Sequence, residues 1–266
     1  MTTTDKQTEF LQAHLDDLFQ SAQSGVFRAS EFFTPSQLVS VRRYLSRRDI
    51  SARTVIYGGY EYAERARVYF LCDYMLSEEE TSLADTLSFY GYDDPTVILK
   101  IDGSGFRSLS HRDFLGSILS LGIERDVIGD IVVCGDSCAY VFCDGAIADF
   151  IIENLKKVAR DGVKVSRSSL PEGDFGVRRY REIRDTVASL RLDCILASAL
   201  NMSRENAKRT VNSGICEVNY ESEDAPDREM CVGDVFSIRG YGKFRLASLG
   251  GENARGRLRI VIHKYE

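Results

Sequence analysis

The chain of 266 residues carries 34 Lys and Arg against 40 Asp and Glu, a net charge of −6, with 44% apolar residues and 4 prolines. That length exceeds one small module and fits two or three domains, and the composition is that of a folded globular protein. The acidic balance excludes a general nucleic-acid coat, no apolar run approaches the roughly 20 residues that span a bilayer, and MTTTDKQTEF has neither the basic nor the apolar region of a secretory leader.

From the N-terminus, residues 5–22 predict an amphipathic helix, with Phe10, Leu11, His14, Leu15, Leu18, Phe19 and Ala22 on one face. Thr34-Pro35 reads as an N-cap followed by proline in the first turn, opening a second helix to about Arg48. The β-rich runs 54–57 and 68–71 flank Gly58-Gly59-Tyr60 and Ala63-Glu64-Arg65, so residues 1–75 are expected to form a small α/β domain. Glu78-Glu79-Glu80 reads as a solvated helix start.

Residues 76–170 predict a β-α-β-β-α-β order. The strands are 96–101, 131–134, 140–143 and 163–165, and the helices are 111–121, ended by Gly122, and 146–159. This is the ferredoxin-like pattern that RNA-recognition motifs also use. Those motifs stack bases on strand aromatics. Here Tyr140 and Phe142 stand on the third strand, but residues 97–101 hold no aromatic and no basic-Gly-aromatic signature appears. A scaffold role is therefore expected for this domain.

The polar stretch 166–174 reads as a linker, and Arg178-Arg179-Tyr180-Arg181 opens a C-terminal domain, 178–266. From Arg178 onward the chain has 16 basic against 13 acidic residues, a net +3, which leaves −9 for the remainder. Charge sorted in this way gives a local basic surface. Residues 191–200 and 203–213 are helical, joined so closely that they must pack as a hairpin. Ser203 is placed as N-cap, and Gly214 as the stop. Arg204 and Lys208 are four apart on one face with Arg209 and Asn212 beside them, and strands are expected at 217–220 and 235–239.

Arg191-Leu192-Asp193, Leu196, Ser203-Arg204, Ala207-Lys208, Gly214, Val218-Asn219 and Gly233-Asp234 together resemble the S-four RNA-binding domain. Carried over by position, that resemblance implies RNA contacts at Arg191, Ser203, Arg204, Lys208, Arg209, Asn212, Gly214 and Asn219; the basic cluster further on adds Arg239 and Lys243. One departure is Tyr220, where the S-four pattern usually has glycine.

Upstream, Gly58-Gly59-Tyr60, Ala63-Glu64-Arg65, Arg67, His111-Arg112-Asp113, Leu115-Gly116-Ser117, Leu121-Gly122-Ile123, Arg125 and Ile128-Gly129-Asp130-Ile131 join the final Arg239-Gly240 and Gly242-Lys243-Phe244. Together they resemble the YlmH family, three-domain cytoplasmic proteins of Gram-positive bacteria associated with the ribosome. This resemblance implies an α+β fold and binding to structured rRNA or tRNA on large ribosomal subunits that still carry peptidyl-tRNA after a stalled ribosome splits. It implies no catalytic residues, no metal and no cofactor. A monomer without membrane contact is expected, in the cytoplasm.

Several motifs invite other chemistry. His111 and Asp113 could form a general-base pair, but a residue after Ser110 at a helix start is more economically a capping or packing residue. Arg112 and Arg125 either add a second RNA contact or pair with Asp113 and Asp126. Arg191-Leu192-Asp193 echoes the tripeptide around the catalytic aspartate of pseudouridine synthases, which need a large domain there; a helix-surface aspartate paired with a neighbouring arginine accounts for it better. Cys134, Cys138 and Cys143 have no Cys-x₂-Cys spacing for zinc, and the odd total of 7 cysteines reads as reduced thiols in apolar settings. Asp102-Gly103-Ser104-Gly105 lacks the lysine of a phosphate loop and reads as a connection. The rival readings are an RNA-modifying enzyme, similar to a pseudouridine synthase and anchored by the C-terminal domain, and a protein-interaction adaptor.

Overall fold

A computed structural model describes residues 3–76, 81–171, 175–176 and 180–265. The Glu78-Glu79-Glu80 run and Arg178-Arg179 lie outside the described residues. The chain forms two compact units, 1–176 and 177–266.

The first unit opens with α1 (Thr3–Gln23), β1 (Arg28–Ala29), α2 (Pro35–Arg47), β2 (Thr54–Tyr57), β3 (Arg67–Phe70) and α3 (Leu83–Phe89). Thr34 starts α2 through a capping box: its hydroxyl accepts from the Gln37 amide, and its own amide donates to Gln37 Oε1 at 2.8 Å. A small antiparallel sheet, β1-β3-β2, packs with the helices around Leu15, Val41, Val68, Tyr69 and Phe70.

The central part continues with β4 (Thr96–Gly103), α4 (His111–Leu119), β5 (Ile128–Cys134), β6 (Cys138–Asp144), α5 (Gly145–Asn154), β7 (Lys157–Val158) and β8 (Asp161–Ser168). Sheet order β5-β6-β4-β8-β7, with every pair antiparallel, is the expected ferredoxin-like arrangement plus one short edge strand. The helix expected over 146–159 ends at Asn154. Leu155 takes an extended backbone, and Ala159 has φ +52° in the tight turn that pairs Val158 with Asp161. Residues 157–158 are therefore strand, a pairing that helical periodicity could not show.

The first unit holds two cores that divide later than the expected 75/76 boundary, since Leu83 and Leu87 of α3 pack with the first, and buried arginines form the seam between them. Arg65, 7% exposed, donates to the carbonyls of Phe32, Arg125 and Ile128. Burial and the nearby Arg125 charge bring its pKa down to about 10, which still leaves it cationic at pH 7. Arg67, 3% exposed, donates to the carbonyls of Ser30 and Pro95 and pairs with Asp144 at 2.7 Å. Asp130 answers from the central sheet, accepting the Tyr60 hydroxyl and the amides of Glu64 and Arg65. Such a charge is tolerated out of water only because each donor finds an acceptor.

The second unit holds β9 (Tyr180–Val187), α6 (Leu192–Ala199), α7 (Arg204–Asn212), β10 (Cys216–Val218), β11 (Glu221–Ser222), β12 (Val235–Ile238), β13 (Gly242–Glu252) and β14 (Leu258–Tyr265). Its antiparallel sheet runs β11-β10-β12-β13-β14-β9. The helix pair covers one face, where Leu192, Ile195, Leu196, Ala207 and Val211 meet Val218, Phe236, Phe244, Leu246, Ile260 and Ile262. None of the described helices is long and apolar enough to cross a membrane.

Replacing Arg67 with methionine keeps its volume but strands Asp144 and two carbonyls. The variant should lose roughly 2–4 kcal/mol of stability, read as a lower urea midpoint by circular dichroism; an unchanged midpoint would show that the seam contributes nothing net.

Candidate nucleic-acid interface

Helix α6 starts at Arg191 and α7 at Ser203, whose hydroxyl accepts the Asn206 amide at 3.3 Å as the sequence anticipates. Ser213 and Gly214 close α7, Gly214 with φ +72°. Between the helices lies Asp193, which is fully buried rather than on the helix surface as expected. The reason is local: the α6 turn that carries it faces α7. Its carboxylate accepts Arg204 Nε at 3.0 Å and Arg191 Nε at 3.4 Å. Burial alone would raise its pKa, but the bonds from Arg204 and Arg191 prevail and hold it below the usual carboxylate range. One interior charge thus orients two half-exposed guanidiniums at adjacent helix starts.

Around that pair, Arg204, Arg209 and Asn212 are exposed and Lys208 is half-buried. Arg209 makes only a loose 3.8 Å pair with Glu205, worth little at an exposed site. Lys208 has no ion pair among the described residues. The face expected from the four-residue spacing is therefore present, with Arg204 the member most tied to the protein itself.

The strand turn is built differently from a set of ligand contacts. Asn219 donates from its side-chain amide to Asp234 at 2.8 Å and accepts the Val235 amide at 3.0 Å. Asp234 also accepts the amide of the exposed Cys231. Asn219 thus uses one of its amide hydrogens and its side-chain oxygen to lock the turn, a supporting role that stands beside the RNA contact expected from the sequence. Asn219 and Tyr220 sit at φ +50° and +67°, the left-handed region where glycine costs least. Tyr220 offsets this with its side chain: Lys243 Nζ donates to its hydroxyl at 3.1 Å and lies 4.7 Å from its ring centroid. Arg239 is exposed on the next turn.

In the first unit, the aromatics that an RNA-recognition sheet would offer are covered. Phe142 is fully buried beneath Tyr60, with ring centroids 4.8 Å apart, and Phe175 packs edge-on to Tyr140 at 5.2 Å. The glycine motifs permit this closeness: a Cβ on Gly59 would meet Phe142 at 2.4 Å, and one on Gly129 would meet Phe32 at 2.8 Å.

His111 starts α4 beside a Ser110–Asp113 capping box. Partial desolvation and the Arg125 charge hold its pKa below the usual imidazole range, against the pull of Asp130, so it is neutral at pH 7. Arg125 fastens the carbonyls of Ile128 and Gly129, and Asp113 is spent on capping. Among the described hydrogen bonds Arg125 is thus held by backbone carbonyls and not by Asp126. Among the described residues no His, Cys, Asp or Glu cluster could hold a metal. Asp161 accepts from Ser104 in the Asp102–Gly105 connection.

Two outcomes check this account. Asp193→Asn should cost roughly 1–2 kcal/mol at neutral pH, since both arginines are partly solvated. A depressed carboxylate contributes stability that is complete above its unfolded pKa near about 3.9 and fades as pH falls through the lower folded value. The gap between wild type and variant should therefore close in acid, and a gap independent of pH would refute the charge pairing. Asn219→Ala should cost roughly 1–3 kcal/mol by leaving Asp234 and the Val235 amide unmet, measured by urea titration; a change confined to RNA affinity would refute the supporting role.

Comparison with known proteins adds the context. Residues 95–172 match the family model described as "Putative RNA-binding domain in YlmH", a description that stands against the scaffold role expected for this segment. The "Ribosome-associated protein quality control protein P2" of Bacillus subtilis (strain 168) is 25% identical over 237 residues, covering 89% of this chain and 87% of that protein. A solved structure, "Cell division protein ylmH from Streptococcus pneumoniae", is similar at 20% identity with a TM-score of 0.46, covering 63% of this chain and 93% of the other. Residues 95–172 thus match the putative RNA-binding domain of YlmH, and the chain along most of its length is similar to the Bacillus subtilis protein.

Proposed function

We propose that this chain is a non-catalytic RNA-binding factor of the ribosome that holds structured rRNA or tRNA on the large subunit, in the rescue of stalled subunits bearing peptidyl-tRNA. The C-terminal unit is read as an S-four domain and the α7 face as its grip. The observation that carries this reading is the buried Asp193 carboxylate, which fixes Arg191 and Arg204 at neighbouring helix starts beside Lys208. Support comes also from the name of the Bacillus subtilis relative, which is similar along nearly all of the chain.

Phosphate contacts from Arg191, Arg204, Lys208, Arg209, Arg239 and Lys243 supply affinity, and Ser203, Asn212 and the Gly214 backbone fix register. A rigid helix pair reads the shape of folded RNA rather than a linear sequence. The central domain contributes through surfaces other than its Phe142 region, which is already filled; Arg112 at the start of α4 is exposed and has no described partner. We read the protein as a cytoplasmic monomer.

Sedimentation of lysate at low salt should bring the protein down with large subunits, and recovery only in the soluble fraction would sink the reading. Arg204→Ala with Lys208→Ala should weaken RNA binding and reduce the log–log salt slope by about one contact per residue. A slope equal to that of the wild type would move the grip elsewhere.

A further inference from the structure

The helix pair covers one face of the C-terminal sheet, and the side chains along the opposite face are exposed or half-buried. In register across β13, β14 and β9 it presents Arg259 opposite Thr186, then Val261 between Ser248 and Arg184, then His263 between Arg245 and Glu182, and finally Tyr265 opposite Tyr180. Strand alternation sends all of these side chains to the face away from the helices, because their neighbours Ile260 and Ile262 point into the core.

We propose that this outer sheet face is a track for a single-stranded RNA segment, separate from the α7 face. Three observations point there. Tyr180 is 47% exposed and stacks on His263 with centroids 3.6 Å apart and planes at 11°, giving a flat aromatic end to the row. Arg245 and Arg259 are exposed, and their side chains have no hydrogen bond or ion pair among the described residues. The bulges in β13 open a groove of about 420 Å³ at the other end, lined by Arg184, Thr186, Ser248, Gly250 and Arg259.

The charge on this face favours an anion. Arg245, Arg259 and Arg184, with Lys243 shared with the phosphate contacts proposed above, stand against Glu182 and Glu217, Glu182 is already bonded to Arg184, and Asp185 lies at the groove edge. The row from Arg259 to Tyr265 spans roughly 20 Å at the strand rise, the scale of about four nucleotides and the short end of single-strand sites. Arginines along the face with stackable rings at one end suit an unpaired strand, whose bases are free to stack. A duplex would offer this face only its backbone.

The idea rests on the RNA-binding reading for the class of partner alone, and the two fail separately. The full-length protein is titrated with a fluorescein-labelled short oligouridylate, a stem-loop RNA and poly-glutamate. Wild type should bind the first two. Arg245→Ala with Arg259→Ala should weaken oligouridylate about tenfold and lower its salt slope by about 1.4, two contacts at about 0.7 each. Tyr180→Ala should weaken it by a similar factor through lost stacking, and Tyr180→Phe should restore it. Stem-loop affinity should not change in any of these. Oligouridylate affinity untouched by these substitutions, or stem-loop bound and oligouridylate not, would overturn the track while leaving the α7 grip standing. If neither RNA binds, both readings fall; if poly-glutamate alone binds, the face belongs to an acidic protein partner.

Discussion

A charge removed from water must be met by opposite charge or by aligned hydrogen bonds, or it does not stay charged. This chain accepts that constraint in both units. Arg65 and Arg67 knit the N-terminal layer to the central sheet through backbone carbonyls and Asp144, and Asp193 does the reverse in the second unit, a buried anion held by two surface cations. In the first case the result is cohesion. In the second it is aim, because the cations that satisfy Asp193 face solvent at the start of two helices.

The two larger sheets are used in opposite ways. The central one resembles the platform on which RNA-recognition motifs stack bases, yet Tyr60 and Phe175 occupy its aromatic positions. Among the described residues no aromatic caps the Tyr180–His263 pair on the outer face of the C-terminal sheet, and that face's cations outnumber its carboxylates. The ferredoxin-like topology therefore says little about where RNA would lie. Which side chains remain uncovered says more.

Much of the architecture was legible because it rests on local signals. Thr34-Pro35, Ser203 and Gly214 mark helix ends by capping chemistry that needs no tertiary partner. The α7 face followed from the spacing of Arg204 and Lys208. What stayed hidden depends on distant pairing. Residues 157–158 form strand only because Asp161 and Gly162 return beside them, and the long C-terminal strands alternate too irregularly around the β13 bulges to stand out. The burial of Asp193 and the structural use of Asn219 belong to the same class: nothing adjacent in sequence shows that Arg204 comes back to one, or Asp234 to the other. A signal for the second was present in the pairing of Val218-Asn219 with Gly233-Asp234, two polar residues flanking strands that must meet.

The thiols carry a practical consequence. Cys72, Cys143, Cys194 and Cys216 are buried and Cys134 and Cys138 half-covered, and burial pushes several upward, Cys138 and Cys216 to about 11 and Cys143 to about 12. Cys231 alone is exposed, and its backbone is bonded to the same Asp234 that Asn219 locks. The native chain therefore has a built-in labelling handle at the strand turn. A maleimide dye attached there would report on the interface without any engineered cysteine.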